Sequence, residues 1–173
     1  SQERLENCIN SDLANNFGNL CQRVTAFAIK NCESKIPKKI KFKKDDLDIL
    51  DKYKNNLNKI RLEIDNQNIN YYIDYIVNSL FEANKYFNDQ EPWKLKEDPE
   101  RLETIVYTTL EIVRKISFLL YPIIPDSSLK ALKIFNLEEK DIKFSSIEKN
   151  DYLIKGNNIY KIDILFKKIE KND

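Results

Sequence analysis

The 173-residue chain predicts an all-α fold, an antiparallel bundle of about five helices with an extended C-terminal tail. Three observations lead there. Only two glycines and five prolines occur, which excludes turn-rich β folds and the glycine-rich loops of Rossmann or P-loop sites. Apolar residues recur every three or four positions over long stretches, the helical period. The prolines fall between those stretches, where they interrupt nothing.

Residues 3–32 read as one long helix, with Leu5, Ile9, Leu13, Phe17, Leu20, Val24 and Phe27 forming one apolar stripe. Residues 33–44 form a loop containing Pro37 and six lysines. The spacing of Leu47, Leu50, Leu57, Ile60 and Ile64 predicts a second helix over 45–64, with Asp45 and Asp46 at the end that favours carboxylates. A third helix covers 69–88 through Ile69, Ile73, Ile76, Leu80, Ala83 and Phe87, and Pro92 stops its continuation. Asp98-Pro99 is a capping residue followed by a first-turn proline, and starts a fourth helix that runs to about Leu120. Pro122 and Pro125 end that helix, and Asp126 or Ser127 caps a short fifth one reaching about Asn136. The bundle thus spans 3–136. The tail, 137–173, contains two extended stretches, Tyr152–Ile154 and Ile159–Leu165, around a turn at Gly156-Asn157. It has no strand partner beyond itself, so it packs on the bundle or on a domain outside the chain.

Composition narrows the function. The net charge is +1, so any nucleic-acid binding must come from local arrangement rather than a global field. The longest apolar run, around Ile116–Leu120, is too short to span a bilayer, and no signal peptide opens the chain. Cys8, Cys21 and Cys32 lie roughly 16–20 Å apart along one helix, too far for a disulfide and at no zinc spacing. They read as buried thiols of a cytoplasmic protein. Histidine and methionine are absent. The missing histidine removes the commonest general acid/base, and the missing methionine points to a chain that has lost its own initiator or been cut from something larger. Ser145-Ser146 has no base, and no catalytic or metal-binding constellation is visible.

Binding residues are visible. Asp12, Asn16, Asn19 and Arg23, at spacings of four, three and four, form a polar stripe beside the apolar one. Asn19 and Arg23, one turn apart, offer an amide carbonyl, amide donors and a guanidinium fork, which suits the Watson–Crick edge of an unpaired base. The same pattern suits an ordinary polar rim. Trp93, the one tryptophan, follows a helix end, where it is either a core plug or a stacking platform for a base. Lys35, Lys38, Lys39, Lys41, Lys43 and Lys44 form a basic run, either a solvated loop or a set of phosphate contacts.

Four segments carry a family resemblance. Residues 10–27, NSDLANNFGNLCQRVTAF, resemble the first anticodon-domain helix of methionyl-tRNA synthetases. Residues 82–96, EANKYFNDQEPWKLK, resemble the family's Pro-Trp segment in the spacing of Asn84, Tyr86, Pro92 and Trp93. Residues 119–128, LLYPIIPDSS, are similar to its proline-bounded turn, and 162–170, IDILFKKIE, to its closing segment. The resemblance covers nearly the whole chain in order. The Asp-Leu-Ala-Asn-Asn opening is shared with other class I synthetases, and the combination is what points to the methionyl enzymes.

The resemblance implies that residues 1–173 form an anticodon-binding domain, without the catalytic Rossmann domain. It implies that Asn19 and Arg23 contact the first anticodon base, a cytosine, and that Trp93 stacks on the anticodon loop of tRNA(Met). Asn84 and Asn16 are placed on the same surface, with Lys35, Lys38, Lys39 and Lys41 against phosphates. The parent would use ATP and Mg to ligate methionine to tRNA; the fragment would bind tRNA, hold no cofactor and catalyse nothing. A monomer is expected, since no dimerisation extension follows Asp173. Departures exist. Lys167-Lys168 stands where family members often carry Pro-Arg, and the two-histidine and Lys-Met-Ser-Lys-Ser catalytic signatures are missing; Lys143-Phe-Ser-Ser146 resembles the latter by chance. Two alternatives remain: the matching domain of a valyl, leucyl, isoleucyl or cysteinyl synthetase, or a helical interaction module with no RNA role.

Overall fold

A computed structural model of the chain describes residues 2–162, with the backbone alone for residues 2 and 5–9. Five helices follow in order: α1 (Gln2–Asn31), α2 (Lys44–Asp65), α3 (Ile69–Gln90), α4 (Pro99–Leu120) and α5 (Pro125–Leu132). Four 3-10 turns, Pro92–Lys94, Lys133–Phe135, Glu139–Asp141 and Phe144–Glu148, fill the connections and the tail. The all-α expectation holds, and no strand occurs among the described residues. The side chain of Cys8, residues 163–165 of the predicted 159–165 stretch, all of the closing segment but Ile162, and Lys167-Lys168 lie outside the described residues.

Helix α4 is the axis of the bundle, packing against α1, α2, α3 and α5. The apolar stripes supply the core, with Phe17 and Leu20 from α1, Leu50 and Ile60 from α2, Ile76 from α3, and Ile105 and Ile116 from α4 fully buried. Cys21 is buried and Cys32 half-buried, both as free thiols pushed up in pKa by burial. Leu47, Ile64 and Ile69, expected in the stripes, are instead exposed. At Leu47 the reason is its neighbour. Asp46 turns inward to meet Arg101, which sends Leu47 outward and leaves Ile49 and Tyr53 to complete the face.

Asp46 is the polar hub at one end of the bundle. Its carboxylate accepts two hydrogen bonds from Arg101, at 2.7 and 3.0 Å, one from the Tyr86 hydroxyl, and one from the Lys43 backbone N–H at 2.8 Å. Burial pushes its pKa up, but Arg101, Tyr86 and Lys43 outweigh burial and hold it below the usual carboxylate value. The hub ties the start of α2 to the end of α3 and the start of α4. Asp98 caps α4 as expected, accepting the Arg101 N–H. The fifth helix differs: Ile124 is its N-cap, with no side-chain cap, because Pro125 already occupies the first helical position.

The described part of the tail packs back on the bundle, one of the two expected outcomes, but it has a partner beyond itself. Around the Gly156 turn it pairs with the segment after α1, through an isolated antiparallel bridge between Lys35 and Asn158 and hydrogen bonds linking Ser34 and Ile36 to Gly156, Asn157 and Ile159. Residues 146–153 are then held by buried ionic groups of α4. Glu111 accepts from the Leu153 N–H; Arg114 donates to Glu111 and to the carbonyls of Ser146 and Lys149. Lys115 donates to the Ile147 carbonyl at 2.6 Å and to Asn150 Oδ1 at 2.8 Å.

Two stability predictions arise here. Arg101→Met leaves Asp46 as an unpaired buried charge, and urea denaturation is expected to show a loss of about 3–5 kcal/mol. The second concerns Lys115, which burial and the adjacent Arg114 charge lower from 10.5 to about 7. A neutral amine still carries two N–H donors, enough for both acceptors. Above neutrality the unfolded chain keeps this proton and the folded chain releases it, so stability rises with pH by up to about 1.4 kcal/mol per unit. Thiols and tyrosines act the other way at higher pH, and the difference between wild type and Lys115→Met cancels them. That difference is expected to grow in favour of the wild type between about pH 7 and 8.5; a flat difference rejects the assignment.

Candidate nucleic-acid interface

Helix α3 ends at Glu91, a non-glycine residue in the left-handed region at φ 47°. That reversal feeds Pro92–Lys94 into a 3-10 turn, closed by the Lys94 N–H on the Glu91 carbonyl at 2.9 Å. Pro92 is buried against the bundle, and the next side chain, Trp93, is turned outward with 42% of its surface exposed. Trp93 is thus a rim residue. Its inner side meets the buried Phe87 edge-on at 6.0 Å, and Phe87 in turn meets Phe27 of α1 at 5.7 Å.

Arg23 arrives from α1 onto this aromatic ledge. Its guanidinium carbon lies 4.8 Å from the Phe87 ring centre and 5.9 Å from that of Trp93. Its Nη2 donates to Asn88 Oδ1. Among the described residues Arg23 takes part in no ion pair. The nearby carboxylates are engaged elsewhere: Asp89 with Lys85 at 2.6 Å, Glu91 with Lys94 at 2.7 Å. Asn19 and Asn16 are exposed, and Asn19 lies one turn from Arg23 on α1. Asn84 is half-buried and turns its amide back on the Leu80 carbonyl, at 3.1 Å, rather than toward Trp93.

The fold therefore brings Trp93 to the helix face that carries the Asn19 and Arg23 pair, and adds Phe87 and Asn88. Phe87 had been assigned to the apolar stripe, and its ring serves both core and ledge. No sequence signal marks Asn88, one of several polar residues in the last turns of α3. The lysine segment joins the same end of the bundle: the Ile40 N–H donates to Thr104 Oγ1 in the first turns of α4, where the Trp93 turn also packs. Lys35, Lys38, Lys39 and Lys41 are exposed, with Lys39 over the Phe42 ring at 4.6 Å.

The arrangement is an open platform. Cavities of about 480 and 580 Å³ lie beside the tail, and neither is lined by Arg23 or Trp93. No cluster of metal-ligating side chains occurs, and no helix is long and apolar enough to cross a membrane, among the described residues. A guanidinium with no ion-pair partner among the described residues, exposed amides and an outward indole offer donors, acceptors and a π face, which an unpaired base needs.

Comparison with known proteins agrees. A family model described as the anticodon binding domain of methionyl tRNA ligase matches residues 36–173. The methionine–tRNA ligase of Brucella suis is 38% identical over 148 residues, covering 85% of this chain and 29% of that protein. That of Mesorhizobium japonicum is 36% identical over 157 residues, covering 90% and 30%. The free-state crystal structure of Mycobacterium tuberculosis methionyl-tRNA synthetase superposes with a TM-score of 0.84 at 30% identity, covering 97% of this chain and 34% of that one. Its complex with methionyl-adenylate gives 0.83. The chain thus spans about a third of the length of the relatives it matches.

The ledge separates two neighbouring aromatic residues. Phe87→Ala, deep in the core, is expected to lower stability by about 3–5 kcal/mol, and Trp93→Ala by clearly less, in parallel urea titrations. Equal losses mean that Trp93 is a core residue after all.

Proposed function

The chain belongs to the family of methionyl-tRNA ligase anticodon-binding domains, and from that premise we propose that it reads the first base of the CAU anticodon of tRNA(Met). The observation that carries the reading is the convergence of the half-buried Arg23 and the exposed Trp93, two groups from distant segments, with no carboxylate paired to Arg23 among the described residues.

The chemistry follows from the edge of cytosine. Its exocyclic amine donates, and its N3 and O2 accept. Asn19 Oδ1 accepts from the amine, the Arg23 fork donates to N3 and O2, and Trp93 stacks on the ring. Uracil carries an N–H at N3 where cytosine has an acceptor, so it sets a donor against the donor-only Arg23 fork. A site built to pair every polar group rejects such a base, because a desolvated group is left unpaired. Asn16 and Asn84 flank the reading surface, and Lys35, Lys38, Lys39 and Lys41 hold phosphates without reading sequence.

In this reading residues 1–173 form the anticodon-binding domain of a longer ligase. The catalytic domain of the parent activates methionine with ATP and Mg and passes it to tRNA in the cytoplasm, while this domain selects the tRNA.

A Trp93 fluorescence titration with two RNA hairpins, CAU and UAU, tests the proposal. CAU should quench Trp93 and bind clearly more tightly. Equal binding leaves only phosphate contacts and removes Asn19 and Arg23 as readers. No binding to either favours a helical interaction module. With a labelled CAU hairpin followed by anisotropy, Trp93→Ala is expected to weaken binding by about 1–3 kcal/mol.

A further inference from the structure

We propose that Asn88 is the positioning residue that presents the Arg23 fork to the base, an inference that rests on Arg23 being a reader. Arginine carries donors only, so an amide paired with it must face it with Oδ1. The bond to Asn88 Oδ1 fixes one edge of the guanidinium. Phe87, at 4.8 Å, fixes its face. A long side chain that would otherwise sample many rotamers is thus held before RNA arrives, with its remaining N–H donors uncommitted.

The choice of a neutral acceptor matters. An aspartate in place of Asn88 would form a salt bridge with Arg23 and set a negative charge against the incoming RNA. The acids that do flank the position, Asp89 and Glu91, are each tied to a lysine of their own, Lys85 and Lys94. Asn88 therefore orients the guanidinium without neutralising it. Asn84, one turn earlier, donates its amide N–H to the Leu80 carbonyl of its own helix, and the acceptor that meets Arg23 is Asn88 Oδ1.

The test is a double-mutant cycle read on the CAU and UAU hairpins. Asn88→Ala should weaken CAU binding by about 3- to 10-fold, the ordering penalty of one freed side chain, and leave UAU binding unchanged. In an Arg23→Ala background the same substitution should have no further effect. Asn88→Asp keeps the acceptor, so it should retain the CAU preference while both hairpins bind more weakly. A merely structural Asn88 would weaken both hairpins alike and do so with or without Arg23, which overturns the proposal. If Arg23→Ala abolishes the CAU preference but Asn88→Ala does not touch it, the positioning role falls and the reading of cytosine by Arg23 stands. If Arg23→Ala itself leaves the preference intact, both fall together.

Discussion

From Thr104 to Leu120, helix α4 has no side open to solvent. Every polar group on that stretch must find its partner in the protein, since an unpaired one in an apolar interior is strongly destabilising. The threonines and Ser117 turn back to carbonyls of their own helix. Glu111, Arg114 and Lys115 cannot, because their side chains are too long and too polar. Their partners are the backbone carbonyls and amide of residues 146–153. The tail is therefore part of the fold's polar accounting. Remove it and Glu111 and Arg114 keep each other but lose the tail's backbone groups, while Lys115 loses both of its hydrogen-bond acceptors.

The second buried ionic centre governs the functional end. Asp46 and Arg101 lock the start of α2 to the start of α4, and Tyr86 brings in the last turns of α3. Phe87, Asn88 and the Trp93 turn are the residues that follow. Buried ion pairs are weak contributors to net stability, but breaking one is severe, so they define which geometry is tolerated. Here the tolerated geometry is the one that aims the end of α3 at Arg23. The ledge inherits its order from a charge pair that it does not touch.

The charge economy of the two ends differs. In the interior every charge is paired within the protein. At the ledge Arg23 is held by a neutral amide and two aromatic rings, and nearby acids are paired to lysines. In a chain with a net charge of +1, such an arrangement keeps a local positive group unneutralised.

Periodicity and composition by themselves determined much of this protein. Few glycines and a 3–4 spacing of apolar residues are local properties, and they set the helices, their ends at Asp98-Pro99 and Pro92, and the polar stripe that holds Asn19 and Arg23. Four short segments, taken in combination and in order, were also enough to recognise the family. Only tertiary structure decided which polar residues face one another. Asp46 reads as an ordinary first-turn carboxylate until Arg101 is placed opposite it. Trp93 is equally a plug or a platform until Pro92 takes the buried position in its turn. The tail reads as extended, yet its partners are the segment after α1 and the charged side chains of α4. Asn88 is one asparagine among many until α1 delivers a guanidinium to it. In each case the deciding contact joins residues far apart in sequence, and no local pattern encodes that distance.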